Sequence, residues 1–200
     1  MIGIIDYGAG NLHSVEKAVK KLGFPTKVMA APRDFTGIDK MIFPGVGSAG
    51  KAMEYIRRHG LDHKIKEAIK AGIPFLGICL GMQLLMEYSK ENDTDCLSIF
   101  DGAVCPFQNN RVKVPHMGWN EVHQKIKHPI FRNIPDAFDF YFVHSFYVQP
   151  NHETDTIGIT EYGEDFCSVI AKDNVIGVQF HPEKSAEAGL AILENFCANF

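Results

Sequence analysis

The stretch Phe75-Leu76-Gly77-Ile78-Cys79-Leu80-Gly81-Met82-Gln83 carries most of what this sequence says about its fold. Phe75 to Ile78 is a short apolar run of the kind that forms a strand buried on both faces, and it leads directly into Cys79. Gly81 to Tyr88 then has the composition of a helix. Between them, G-x-C-x-G has the form of a nucleophile elbow, with sulfur in the place of a serine hydroxyl. The flanking glycines permit a strained turn in which only bare backbone fits beside the nucleophile.

Upstream, the chain alternates short apolar runs with amphipathic segments. Strands are expected at Ile2 to Ile5, Thr26 to Met29 and Met41 to Phe43. The first ends in the turn Gly8-Ala9-Gly10. A helix follows with Leu12, Val15, Val19 and Leu22 on one face and Gly23 as its stop. Two more helical stretches lie around Met53 to Arg58 and Asp62 to Lys70. This β-α-β-α order argues for an α/β fold, a mostly parallel sheet with helices on both faces.

Downstream, the pattern turns to strands: Ala103 to Phe107, Arg111 to Val114, Asn120 to His123, Phe138 to His144, Thr156 to Glu161, Ser168 to Ala171 and Val175 to Gln179. Asp173-Asn174 is a tight turn between the last two. A closing helix runs from about Ser185 to Phe200. This half reads as an antiparallel section added to the parallel sheet. There is no internal repeat or linker, so residues 1–200 are expected to form a single domain.

Composition excludes several classes. Hydrophobic residues are 46% and charged residues 22%, the balance of a globular chain. The net charge of −4 gives no footprint for nucleic acid or an anionic membrane surface. The N-terminus lacks the marks of a signal peptide, and no stretch approaches the roughly 18 apolar residues of a membrane helix. Five widely spaced cysteines without C-x-x-C argue against a disulfide framework or a structural zinc site. A soluble, cytoplasmic protein without metal or cofactor is expected.

Most free cysteines are buried structural residues. That reading is kept for Cys96, Cys105, Cys167 and Cys197, whereas the elbow sets Cys79 apart as a nucleophile. A helix beginning just after it would favour thiolate and aim the Leu80 N–H at an oxyanion. A thiolate needs a base, and the base needs an orienter. His181 lies in Gln179-Phe180-His181-Pro182-Glu183-Lys184-Ser185, after an apolar strand. Pro182 biases His181 to an extended conformation, in which Glu183 would point the same way as the imidazole. Alone, His-Pro-Glu reads as a turn with a solvated glutamate; beside a cysteine elbow it reads as base and orienter. Pro44-Gly45-Val46-Gly47, after the third strand, offers either a second oxyanion donor at the Val46 N–H or an ordinary tight turn. Gly8-Ala9-Gly10-Asn11 lacks a third glycine, since residue 13 is His13, so a nucleotide site is not expected.

Together these stretches resemble the triad-type, class I glutamine amidotransferases, whose two signatures match residues 77 to 83 and 179 to 185. Ile5-Asp6-Tyr7-Gly8-Ala9-Gly10-Asn11, Pro115-His116-Met117-Gly118-Trp119-Asn120 and Tyr141-Phe142-Val143-His144-Ser145 narrow the resemblance to glutaminase subunits of histidine biosynthesis. The resemblance implies a flavodoxin-like fold and a catalytic triad of Cys79, His181 and Glu183 acting on L-glutamine. It implies an oxyanion hole from the N–H groups of Val46 and Leu80, and glutamine contacts at Gly47, Gln83, Ser145 and Phe146. It also implies a (β/α)8-barrel cyclase as partner, met at Asn11, Met117, Trp119 and Lys184, and a Val46 peptide that turns only when that partner is loaded. Phe146 stands where that family often has tyrosine. Paralogous subunits that feed surface-sugar synthesis, and stand-alone cysteine hydrolases, remain the alternatives.

Overall fold

The computed structural model describes residues 1–8, 11–107 and 112–200. Its first half contains β1 (Ile2–Ile5), α1 (Leu12–Lys21), β2 (Thr26–Met29), β3 (Lys40–Gly45), α2 (Ala49–Arg58), α3 (Leu61–Lys70), β4 (Phe75–Cys79) and α4 (Leu80–Gln83). The second half adds β5 (Met86–Ser89), β6 (Thr94–Asp95), β7 (Phe100–Pro106), β8 (His116–Gln124), β9 (Phe138–His144) and β10 (Phe146–Pro150). It ends with β11 (Thr156–Glu161), β12 (Asp165–Lys172), β13 (Val175–Val178) and α5 (Ala186–Asn199).

The strands form one mixed sheet in the order β2-β1-β3-β4-β13-β12-β10-β7-β5-β6, with β11 on β12, β8 on β11 and β9 on β8. The five strands from β2 to β13 run parallel to one another, and β12 then pairs antiparallel with β13. Alternation along β3 divides the core: Met41 and Phe43 pack with Met53, Ile56, Leu61 and Ile65 of α2 and α3. Ile42 joins the opposite layer with Val15 and Val19 of α1 and Ile192, Leu193 and Phe196 of α5. Both faces of the central strands are therefore apolar, which is why they read as continuous hydrophobic runs.

Two of the expected elements are not formed as read from the sequence. The helix expected over Gly81 to Tyr88 stops after one turn at Gln83, and Met86–Ser89 is a strand. Leu84, Leu85 and Met86 are all fully buried, three adjacent positions that a helix with one side in water would not bury together. Their carbonyls accept instead from Leu97, Ser98, Ile99 and Phe100 N–H groups, which compete with helical pairing. The strand expected over 111–114 is absent at Val112 to Val114, while Arg111, like Ala9 and Gly10 of the first turn, lies outside the described residues. Among the described residues no helix is long and apolar enough to cross a membrane.

The carboxyl ends of β3 and β4 are held close by missing side chains. A Cβ on Gly81 would lie 1.8 Å from the Phe43 carbonyl oxygen, and one on Gly77 would lie 2.7 Å from the Gly81 carbonyl oxygen. Both contacts are backbone and cannot yield by a rotamer change. Gly81→Ala is expected to destabilise the fold by about 3 kcal/mol or more, read by chemical denaturation. A variant as stable as the parent would contradict this packing.

Candidate active site

Cys79 closes β4 at φ 54°, ψ −110°, a left-handed conformation that a side-chain-bearing residue adopts only when its surroundings enforce it. The glycine contacts just described enforce it. Leu80 opens the single-turn helix, so its N–H belongs to the donors that have no partner within the helix. The Cys79 side chain is nearly buried, with the Val143 carbonyl 4.0 Å from Sγ. Gln179, fully buried, donates from Nε2 to Sγ at 3.6 Å and accepts from Gln83 Nε2 at 3.1 Å. Gln83 uses its second N–H on the Phe146 carbonyl at 2.8 Å.

His181 follows β13, next to β4 in the sheet, and so reaches the elbow from the neighbouring strand. Its Nδ1 lies 2.8 Å from Glu183 Oε1, and both side chains are buried. The contact is made differently from the extended i, i+2 arrangement expected. Pro182–Lys184 is a turn of 3₁₀ helix, closed by Lys184 N–H to the His181 carbonyl at 3.0 Å. The turn folds Glu183 back under the ring. Asn11 donates from Nδ2 to the same Oε1, and Ser185 Oγ–H holds the His181 carbonyl at 2.7 Å.

These bonds place the proton on Nδ1 and leave the buried Nε2 as the basic atom, facing Cys79. Burial disfavours an imidazolium there, but the negative charge of Cys79 and the bond and charge of Glu183 outweigh it, raising His181 to about 10. Burial likewise acts to raise Glu183, yet the His181 and Asn11 bonds hold it below the usual carboxylate range. The arrangement favours a charged pair, with the imidazolium stabilised by a fixed carboxylate.

A cavity of about 310 Å³ opens over Sγ. It gathers Val46, Gly47, Cys79, Leu80, Gln83, Ser145 and Phe146, every residue that the sequence assigned to the oxyanion hole and to glutamine contacts. His181 and Glu183 sit behind Cys79 rather than in the lining. Val46 is not arranged as a donor to the cavity. Its N–H donates to Tyr7 Oη at 2.8 Å, and its carbonyl accepts from the same hydroxyl at 2.9 Å.

The residues expected to meet a partner lie just outside. Met117 is 61% and Trp119 54% exposed, on β8. Trp119 contacts the Tyr141 ring edge to face at 6.1 Å, and Lys184 Nζ lies 5.8 Å from the centre of the same ring. The Tyr141 carbonyl accepts from the His181 N–H at 2.9 Å, so this patch is one residue away from the base.

Four polar residues escaped the sequence reading. Gln179 stands two positions before His181 in the quoted motif, and that spacing was the available signal. Glu91 lines the cavity and accepts from Ala49 N–H at 2.8 Å, with no local pattern to announce it. His144 donates from Nδ1 to the Phe146 carbonyl at 2.8 Å and accepts at Nε2 from His116 Nδ1 at 2.9 Å. Burial lowers His116 to about 4 and His144 to about 3, so both rings are neutral and support the wall of the cavity. Among the described residues no three side chains are grouped to hold a metal ion.

A cysteine on a strained elbow, an imidazole oriented by a carboxylate, and a cavity with a few polar groups at the carboxyl ends of parallel strands make a candidate site for acyl transfer. The chain belongs to the class-I glutamine amidotransferase family, whose description matches residues 3–200. It is 45% identical over 197 residues to "Imidazole glycerol phosphate synthase subunit HisH" of Dehalococcoides mccartyi, covering 98% of this chain and 96% of that protein. The subunit of the same name from Sulfurimonas denitrificans is 46% identical over 201 residues, with 98% and 97% covered. "Imidazole glycerol phosphate synthase subunit HisH 1" of Pseudomonas aeruginosa is 43% identical over 205 residues, with 98% and 96% covered. Solved structures share the fold at low identity. A glutamine amidotransferase superposes with TM-score 0.77 at 16% identity, covering 98% of this chain and 99% of that one. PurLQS from Thermotoga maritima also gives 0.77 at 16%, with 98% and 96% covered.

Proposed function

We propose that this chain is the glutaminase subunit of an imidazole glycerol phosphate synthase, acting as one domain across residues 1–200. The observation that carries the chemistry is Cys79 on its elbow, backed by the His181–Glu183 pair, under a cavity of about 310 Å³ that is large enough for one amino acid. The near-full-length likeness to relatives of that name supports the pathway over the sugar-synthesis paralogue.

Cys79 Sγ, as the thiolate whose proton sits on His181 Nε2, attacks the carboxamide carbon of glutamine. The tetrahedral oxyanion is held by the Leu80 N–H and, once it is turned into the cavity, by the Val46 N–H. His181 returns its proton to the departing ammonia, leaving a glutamyl thioester. His181 then takes a proton from water, which attacks the thioester and releases glutamate. Glu183 stays ionised and holds the imidazolium through both halves. Gln83 and Glu91 offer acceptors for the substrate ammonium, while Gly47, Ser145 and Phe146 lie where backbone groups meet its carboxylate.

Free ammonia is lost to solvent unless it is captured, and the exposed Met117–Trp119 patch beside His181 is a surface for the subunit that captures it. That subunit is a (β/α)8-barrel cyclase, which uses the ammonia to form imidazole glycerol phosphate. A stand-alone cysteine hydrolase has no need of such a patch. Mixing the chain with a histidine-pathway cyclase is expected to give co-elution and a gain in glutamate release. No complex with that cyclase, but a productive one with a sugar-pathway partner, would favour the paralogue. Trp119→Ala is expected to weaken the complex by about 2–4 kcal/mol in a titration. Unchanged affinity would place the interface elsewhere.

A further inference from the structure

The N–H and the carbonyl of Val46 are both held by one side chain. Tyr7 Oη accepts from the Val46 N–H at 2.8 Å and donates to the Val46 carbonyl at 2.9 Å. Tyr7 is 7% exposed, and its ring packs edge to face on Phe43 of β3 at 5.6 Å, so the hydroxyl has little freedom to leave. Gly45 leaves room for it: a Cβ there would come within 3.0 Å of Tyr7 Oη. Burial pushes the phenol well above its usual range, against the opposing Val46 bond and with Cys79 adding to the rise. The group therefore remains a hydroxyl, able to donate and accept at once.

A backbone N–H bonded to a buried phenol is not available to a tetrahedral oxyanion. We propose that Tyr7 is a positioning residue: its hydroxyl latches the Val46 peptide with the N–H withheld from the cavity, and turnover requires both bonds to open. This rests on the glutaminase reading above. It adds to that reading the residue that holds the loop and keeps the unpaired subunit slow. Asn11, four residues along, donates to the Glu183 carboxylate. Tyr7 and Asn11 thus tie one short stretch of chain both to the oxyanion loop and to the triad, and a partner seated on Asn11 has leverage on both. Each neutral hydrogen bond biases an equilibrium by roughly two- to tenfold. Removing the pair is expected to raise the active fraction of the free chain by about tenfold.

The test is Tyr7→Phe, which keeps the ring on Phe43 and removes only the hydroxyl. Glutamate release is measured for the free full-length chain and for its complex with the cyclase. The expected result is a rise of about tenfold in kcat of the free chain with KM little changed, and a matching fall in the activation by the partner. A loss of hydroxyl that merely loosened the structure would lower both rates, and that outcome, or an unchanged kcat, overturns the latch. Amide exchange at Val46 tests the contact without reference to activity. It is expected to quicken in Tyr7→Phe, and equal protection in the two proteins overturns the latch as well. A parent chain that stays inactive even in the complex would instead overturn the glutaminase reading, while Val46 exchange continued to report on Tyr7.

Discussion

Replacing Cys79 with alanine is expected to reduce glutamate release by about 10⁴-fold or more while leaving the complex with the cyclase intact. The size of the effect follows from the absence of a substitute. Burial raises the thiols of Cys96, Cys167 and Cys197 to about 12 each, and Cys105 is buried as well. Ser145 lines the cavity, but the triad bonds orient His181 from behind Cys79. Alanine removes one sulfur from a site whose backbone is fixed by glycine contacts, so folding and docking should be preserved. Chromatography with the partner and a coupled glutamate assay read the two properties separately. Activity retained within tenfold of the parent contradicts a thioester at this residue.

His181→Asn is the second large effect, with a fall of about 10³- to 10⁴-fold in kcat because both proton transfers lose their carrier. It also carries a pH signature. His181 is raised from 6.5 to about 10, so the fold gains from the imidazolium fully below pH 6.5 and loses that gain as pH rises toward 10. Glu183 is lowered from 4.5, so its contribution is present above that pH and fades only in stronger acid. The difference in unfolding midpoint between parent and variant should therefore be flat from about pH 5 to 6.5 and shrink from there to 10. A difference that grows with pH would mean that the ring is held neutral.

Much of this was legible in the sequence because it is local. The residues of β1, β2, β9 and β11 coincide with apolar or alternating runs, and the elbow is defined within five residues by its two glycines. The triad pair could be proposed from adjacency alone, though the turn of 3₁₀ helix that joins Glu183 to His181 could not. What escaped depends on distant partners. Met86–Ser89 has helical composition but is drawn into the sheet by pairing with β7. Phe146–Pro150 is separated from β9 only by Ser145, and it becomes a strand through pairing with β7. Tyr7, Glu91 and Gln179 lie in three different loops, and only folding brings them to the Val46 N–H, the cavity wall and the Cys79 sulfur.

The assignment of Cys79 is tested most directly by peptide mapping after treatment with a glutamine-analogue electrophile, with the cyclase present and glutamine as competitor. Label on Cys79 alone among the five cysteines, suppressed by glutamine and absent in His181→Asn, is the expected result. Label shared among cysteines irrespective of glutamine, or none at Cys79, would contradict a glutaminase built on this triad.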